Sequence, residues 1–377
     1  MLTAVDWPAS GVRRPGAAQM SILDVPTEIL LQIFYNAVGD GPLRPGGTAV
    51  AIPISQVSSR WRQISLDCPS LWTDVRFPYG AYRSHSEMLD LLLDRIGGSS
   101  GTLPLTVVFN RPEPGWAGRM VDFWPLFRRM RDFCHRLEAI FAILPTPGIY
   151  EFNRALGQQN FPLLVHLHVV QSDNLAPVAV DFENAHFLRS FHLEHISYGS
   201  ESRNTSASLR SMCFVNVRFV DLPVSVMHGL HELTITRSPL PFFNHANPLP
   251  QIALTTLILD GIASFGYPNE LFQFLTSFQM PHLQNLEIAH LDNRLRLSSQ
   301  LVQALQPPAL FPALRSVKFT SLVLSSVSAA FCHALPALDT LILDGVAPHP
   351  LLSIFRDDFS LCPALTKVVV DGVPVQR

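Results

Sequence analysis

The residues of this chain whose types and spacing could do chemistry are His166 and His168, two positions apart, followed by His192 and Glu194 at the same separation. On an extended strand every second side chain points to one face, so each pair would share a face. Imidazole nitrogens beside a carboxylate are the donor set of a zinc-type site. A metal-dependent enzyme at His166, His168 and His192 is therefore one reading. Against it, fourteen histidines are scattered along the chain, and no His-Glu-x-x-His or paired Cys/His framework is present. A Gly-x-Ser-x-Gly elbow, a Gly-x-x-x-x-Gly-Lys-Ser/Thr phosphate loop and a Gly-x-Gly-x-x-Gly turn are missing too. On these grounds no enzyme, no catalytic residue, no metal and no cofactor is expected, and the polar residues read as a contact surface.

What must position those residues is a repeat. The unit apolar-x-x-apolar-x-apolar starts at Leu137, Leu164, Leu188, Leu209, Leu230, Leu254, Leu283, Leu314, Leu338 and Leu365. Successive starts differ by 27, 24, 21, 21, 24, 29, 31, 24 and 27 residues. Two further marks recur. Proline stands two residues before the leucine at Pro162, Pro281, Pro312, Pro336 and Pro363, and Asp-Gly follows the unit at Asp260-Gly261, Asp344-Gly345 and Asp371-Gly372. Each unit predicts a strand, and helical spacing appears between strands at 124–137, 269–278, 301–306, 325–335 and 351–361. Strand and helix alternating every two dozen residues predict an α/β solenoid with a parallel sheet on one side and outer helices.

In each strand the two Leu-type positions of Leu-x-Leu face the core, and the residues between and beside them face the other way. That outer face carries His166, His168, His192, Glu194, Glu232, Asp260, Glu287, Lys318, Asp344 and Lys367, the expected target-binding residues, together with Ser190, Thr234, Thr236, Asn285, Thr320 and Asp371. Over about residues 120–377 the pattern resembles that of leucine-rich-repeat proteins, whose unit runs roughly 20–29 residues. It departs from that family in lacking the regular Asn or Cys that closes each turn.

Upstream of the repeats stands Asp24-Val25-Pro26-Thr27-Glu28-Ile29-Leu30-Leu31-Gln32-Ile33-Phe34. Pro26 suits the first position of a helix and Glu28 favours its positive end. Ile29 with Ile33, and Leu30 with Phe34, make an apolar stripe. Val57-Ser58-Ser59-Arg60-Trp61-Arg62 and Pro69-Ser70-Leu71-Trp72 follow in order. A loop at 39–47 separates them from the first helix, and Pro53 is expected either to open a short second helix or to break a longer one. Leu71 to Phe77 alternates like a strand, and 86–96 has helical spacing.

Residues 21–73 resemble the F-box, with Val25 where that family usually has Leu and Ser58 where it often has Cys. The chain is thus similar to fungal-type F-box proteins with a C-terminal leucine-rich-repeat-like domain. The resemblance implies that Pro26, Ile29, Leu30, Ile33 and Phe34, supported by Val57 and Trp61, dock the Skp-type adaptor and through it a cullin, while the repeats hold a target protein. It implies the substrate-recognition subunit of an SCF-type ubiquitin ligase. The alternative is a leucine-rich-repeat scaffold in which the F-box-like segment only caps the solenoid and has no ligase role.

Composition agrees with a folded protein rather than a largely disordered one. Hydrophobic residues are 47% and charged ones 15%, enough for a large core. The net charge of −3, without a basic block, argues against nucleic acid as a partner. Five cysteines, Cys68, Cys134, Cys213, Cys332 and Cys362, are odd in number and widely spaced, which suits reduced thiols in cytoplasm or nucleus. The uncharged stretch 319–338 holds four serines, His333 and Pro336, and reads as strand and helix rather than a membrane span. The expected organisation is a disordered tail at 1–20, the F-box at 21–73, connecting strands and a helix at 74–119, and the repeat domain at 120–377.

Overall fold

The computed structural model of the protein describes residues 25–38, 48–77, 102–109, 123–173, 175, 177–180, 184–198, 208–219, 224–240, 251–262, 270–290, 311–321, 335–345 and 364–375. The first of these form a helical module: α1 (Thr27–Val38), α2 (Thr48–Val57), α3 (Ser59–Leu66) and a 3₁₀ turn at Pro69–Trp72. Strands β1 (Asp74–Phe77) and β2 (Leu105–Phe109) follow, then α4 (Trp124–Met130), a 3₁₀ turn at Arg131–Arg136, β3 (Leu137–Leu144) and α5 (Thr146–Leu156). The next strands are β4 (His166–Gln171), β5 (Ser190–Glu194), β6 (Ser197–Tyr198), β7 (Ser211–Val215) and β8 (Arg218–Phe219). After α6 (Val224–Met227) come β9 (Glu232–Thr236), β10 (Thr256–Asp260), α7 (Glu270–Thr276), β11 (Asn285–Ala289) and β12 (Ser316–Thr320). The chain ends in β13 (Thr340–Asp344), β14 (Lys367–Val370) and β15 (Val373–Val375).

The fold is mixed α/β with one thirteen-stranded sheet, in the order β1-β2-β3-β4-β5-β7-β9-β10-β11-β12-β13-β14-β15. Strands β6 and β8 pair separately beside it. All neighbours in the large sheet are parallel except the last pair, and chain order equals spatial order, as a solenoid-like arrangement requires. The sheet begins at Asp74, so the strands expected to lead into the repeats are its first two members. The candidate helices at 86–96, 301–306 and 351–361, and all but the last residue of 325–335, lie outside the described residues, as does the loop 39–47.

The repeat leucines explain the sheet's inner face. All ten are buried, and from β4 onward each large-sheet strand except the terminal β15 starts two residues after one of them. The proline mark has a local cause. The amide of Leu164 donates to the carbonyl of Phe161, Leu283 to Met280, Leu314 to Phe311 and Leu338 to Leu335. Pro162, Pro281, Pro312 and Pro336 therefore occupy the second position of a tight turn, where their fixed φ is preorganised. The residue opening each turn is itself buried, so the turn delivers the chain into the core.

The residue leaving each strand has a shared conformation as well. His195, Asn216, Arg237, Gly261, His290, Ser321 and Gly345 all have positive φ, between 47° and 60°. Each occupies the seventh position after its repeat leucine, and the amides of the first six continue the bonding to the next strand. Asp-Gly marks only some of these turns. At the C-terminal end, Asp371 and Gly372 both have positive φ, of 47° and 76°, and β14 turns back into antiparallel β15. That two-residue hairpin covers the last parallel edge.

The helical module rests on the opposite edge. A continuous core runs from Leu30, Phe34 and Trp72 into Val75, Phe77 and Phe109 and along the whole sheet. Stacked and edge-on rings, Phe77 with Phe109 at 5.3 Å, Phe109 with Phe127 at 5.4 Å and Phe127 with Phe152 at 5.4 Å, fill its first turns. Two local expectations are corrected. Pro53 neither opens nor breaks α2 but lies inside it; burial of Ala51, Ile54 and Ser55 holds the helix despite the lost backbone bond. Pro69–Trp72 is a 3₁₀ turn, not part of a strand, because Trp72 turns its ring inward and donates its indole N–H to the Ser65 carbonyl at 2.8 Å.

Candidate functional site

Two surfaces follow from this frame. The first is on the helical module. Helix α1 starts at Thr27 with the carbonyl of Pro26 accepting from Leu30, so Pro26 flanks the helix rather than occupying its first turn. The stripe expected to dock a partner divides in two. Leu30 and Phe34 are fully buried, and Trp61 on α3 is buried against Phe34. Ile29 and Ile33, one turn apart on α1, are 46% and 47% exposed, Val57 at the end of α2 is 55% exposed, and Pro26 is exposed too. The inward set holds the module together; the outward set is what a partner could touch.

The spacing between these helices is set by polar contacts the sequence pattern did not reveal. Ser58, standing between α2 and α3, caps α3 by accepting the Trp61 amide at 3.1 Å. The Arg60 guanidinium donates to the Val25 carbonyl at 2.8 Å and Arg62 to the Ser55 carbonyl at 3.1 Å, fastening α3 to the start of α1 and to α2. On the flank of α1, Leu31, Tyr35, Ile64 and Leu103 border a groove of about 380 Å³. There the Tyr35 hydroxyl lies 2.9 Å from both Cys68 Sγ and Ser70 Oγ.

The second surface is the outer face of the sheet. All ten expected target-binding residues, His166, His168, His192, Glu194, Glu232, Asp260, Glu287, Lys318, Asp344 and Lys367, are exposed or half-buried there. Strand register places them in straight rows. The central row runs Phe141, His168, His192, Cys213, Thr234, Ile258, Glu287, Lys318, Ile342, Val369. Lys318 Nζ and Glu287 Oε1 meet at 2.8 Å, and this contact holds the lysine's pKa above its usual range. His290 Nδ1 and Asp260 Oδ1 are also 2.8 Å apart.

The strongest chemistry lies at the start of that row. The rings of His168 and His192 stand 3.9 Å apart, tilted by 33°, and His168 meets the Phe141 ring edge-on at 6.0 Å. Burial lowers the pKa of both imidazoles, that of His192 to about 4 with help from His168, whereas the Glu194 charge partly offsets the effect on His168. The lowered values favour the neutral rings, whose unprotonated nitrogens can accept a hydrogen bond or bind a metal. Glu194 lies beside them at the end of β5, and its Oε1 is also 3.4 Å from His195 Nε2. His166 does not join this group: it pairs in register with Ser190, one step along the strand.

Cys213 was not singled out from its sequence. It follows His192 in the central row, and burial, then the Glu194 charge, raises its thiol pKa. Its repeat position, four after Leu209, matches that of His192 after Leu188 and is the signal that could have found it. Cys68, Cys134 and Cys213 are all free thiols, Cys134 held protonated by burial with a pKa of about 12. Among the described residues, no helix is long and apolar enough to cross a membrane.

No protein-family model matches the chain, and no curated protein matches it either. What the two surfaces do must therefore be argued from their own residues.

Proposed function

We propose that the chain is the substrate-recognition subunit of an SCF-type ubiquitin ligase, a non-enzymatic F-box protein of cytoplasm or nucleus with leucine-rich-repeat-like repeats. Its helical module docks a Skp-type adaptor, and through it a cullin, while the outer face of the sheet holds a target protein. The observation that carries the reading is that Ile29 and Ile33 point outward from a helix whose other face is anchored by Leu30 and Phe34. Exposed aliphatic side chains on a fixed helix are suited to a protein groove. The order of the F-box-like pieces supports the same reading. The mechanism is proximity: the module fixes the chain to the ligase, and the sheet raises the local concentration of the target.

Copurification of the full chain with a Skp-type adaptor tests it. Wild type is expected to retain the adaptor, and the Ile29→Asp/Ile33→Asp double variant to lose it while keeping its melting temperature. An adaptor that ignores both forms removes the ligase role. A specific observation favours the second reading in that event: the core continues without a break from Trp72 of the module into Val75 and Phe77 of β1. The module would then be the cap of a leucine-rich-repeat interaction scaffold, closing an edge that a solenoid must cover.

A further inference from the structure

Three donors converge on the outer face, and in two of them a buried ring nitrogen has no partner among the described residues. The available ligand atoms of His168, His192 and Glu194 lie within 4.8 Å of one another. The Nε2 atoms of His168 and His192 are sealed from solvent and have no hydrogen-bond partner among the described residues. A buried polar atom left unpaired is costly, so two side by side call for a ligand that satisfies both.

We propose that His168, His192 and Glu194 form a binding site for one zinc-class divalent cation. Tetrahedral ligands about 2.1 Å from a metal stand roughly 3.4 Å from one another, so small side-chain rotations from the present separations complete the shell. Parallel register makes this possible. His168 and His192 are paired Cα positions on β4 and β5, and Glu194 is the second residue beyond His192 on the same face. Two imidazoles with one carboxylate favour zinc and its neighbours over magnesium or calcium, which need a shell of oxygens. Three protein ligands leave a fourth position for water or a donor from a bound protein.

The site stands apart from the helical module, so its test is independent of adaptor docking. Full-length protein freed of metal by chelation is titrated with zinc by calorimetry and with cobalt by visible spectroscopy. One equivalent of each is expected, cobalt giving the strong bands of a low-coordinate nitrogen and oxygen shell, and magnesium giving no heat. His168→Gln and His192→Gln should each weaken zinc by more than the roughly 10- to 100-fold that loss of an outer hydrogen-bond partner costs. Glu194→Gln, at a half-exposed strand end, supplies the same comparison should either histidine variant misfold. Absence of zinc binding by wild type overturns the proposal. So does zinc binding of unchanged strength in folded variants, since the ion would then sit on other histidines of the chain.

Discussion

The ring of Phe34 on α1 lies 5.0 Å from that of Trp61 on α3, tilted by 58°, and both are buried. This pair separates folding from docking within one short stretch. Phe34→Ala opens a cavity at the centre of the module and should cost about 3–5 kcal/mol. Ile29→Asp, one face away, exchanges an exposed side chain and should change stability by no more than about 0.5 kcal/mol. Urea unfolding of the two variants measures the difference. Equal losses would mean that Ile29 is also part of the packing, and the outward face assigned to α1 would be wrong.

Helix α5 has Pro145 at its N-cap, which offers no side-chain acceptor, and takes its cap from the next strand's exit instead. Asp173 accepts from the Thr146 amide at 2.8 Å, from its hydroxyl at 2.7 Å and from the Gln171 amide at 2.9 Å. Burial alone would raise the Asp173 pKa, but these hydrogen bonds outweigh it and hold the carboxyl below its usual range. The contribution is therefore complete above the unfolded carboxyl pKa of about 3.9 and fades as pH falls through the lower folded value. Asp173→Ala should cost roughly 0.5–1 kcal/mol at pH 7, a small figure because the group is half-exposed. The gap between the melting temperatures of wild type and variant should shrink as pH falls below that range. A gap that stays constant with pH would show that the carboxylate's charge is not what caps the helix.

The hairpin closing the sheet depends on backbone freedom rather than space. A Cβ added to Gly372 would meet nothing within 4 Å, yet its φ is 76°. Gly372→Val should thus cost about 1–2 kcal/mol through backbone strain alone. Hydrogen exchange at β14 should rise with it, since β15 is what covers that edge. Unaltered exchange would indicate that the edge holds without the hairpin.

Much of the sheet could be read from leucine spacing because burial enforces it. From Leu164 onward each repeat leucine seats a strand two residues on, and Pro162, Pro281, Pro312 and Pro336 set the turns that deliver it. The turn after the strand was only partly visible. Gly261 and Gly345 announce a positive φ, whereas His195, Arg237 and Ser321 adopt it under the pull of the sheet's hydrogen bonds and show no local signal. The outer rows were readable as a face but not as a site. Whether His166 or Glu194 joins His168 and His192 depends on register between strands, which is set by turns of differing length and not by the residues themselves. Likewise, helical spacing on α1 could not tell Ile29 from Leu30, because both lie on one apolar stripe whose width exceeds what the module buries.

Strand β10 offers the sharpest test of the alternation itself. Leu257 is fully buried beneath the sheet, while Ile258, its neighbour, stands half-buried in the outer central row between Thr234 and Glu287. Leu257→Ala should lower stability by about 2–5 kcal/mol through the cavity it leaves. Ile258→Thr keeps a β-branched side chain on a strand and leaves no cavity, so its cost should stay within about 1 kcal/mol. If the outer face is the recognition surface, Ile258→Thr should still change what the chain captures, because it alters the middle of the row without altering the fold. Denaturation midpoints of the two variants, measured beside capture of the wild-type partners, separate these effects. An Ile258→Thr protein as unstable as Leu257→Ala would mean that the outer face is covered by other parts of the chain and is not open to a partner.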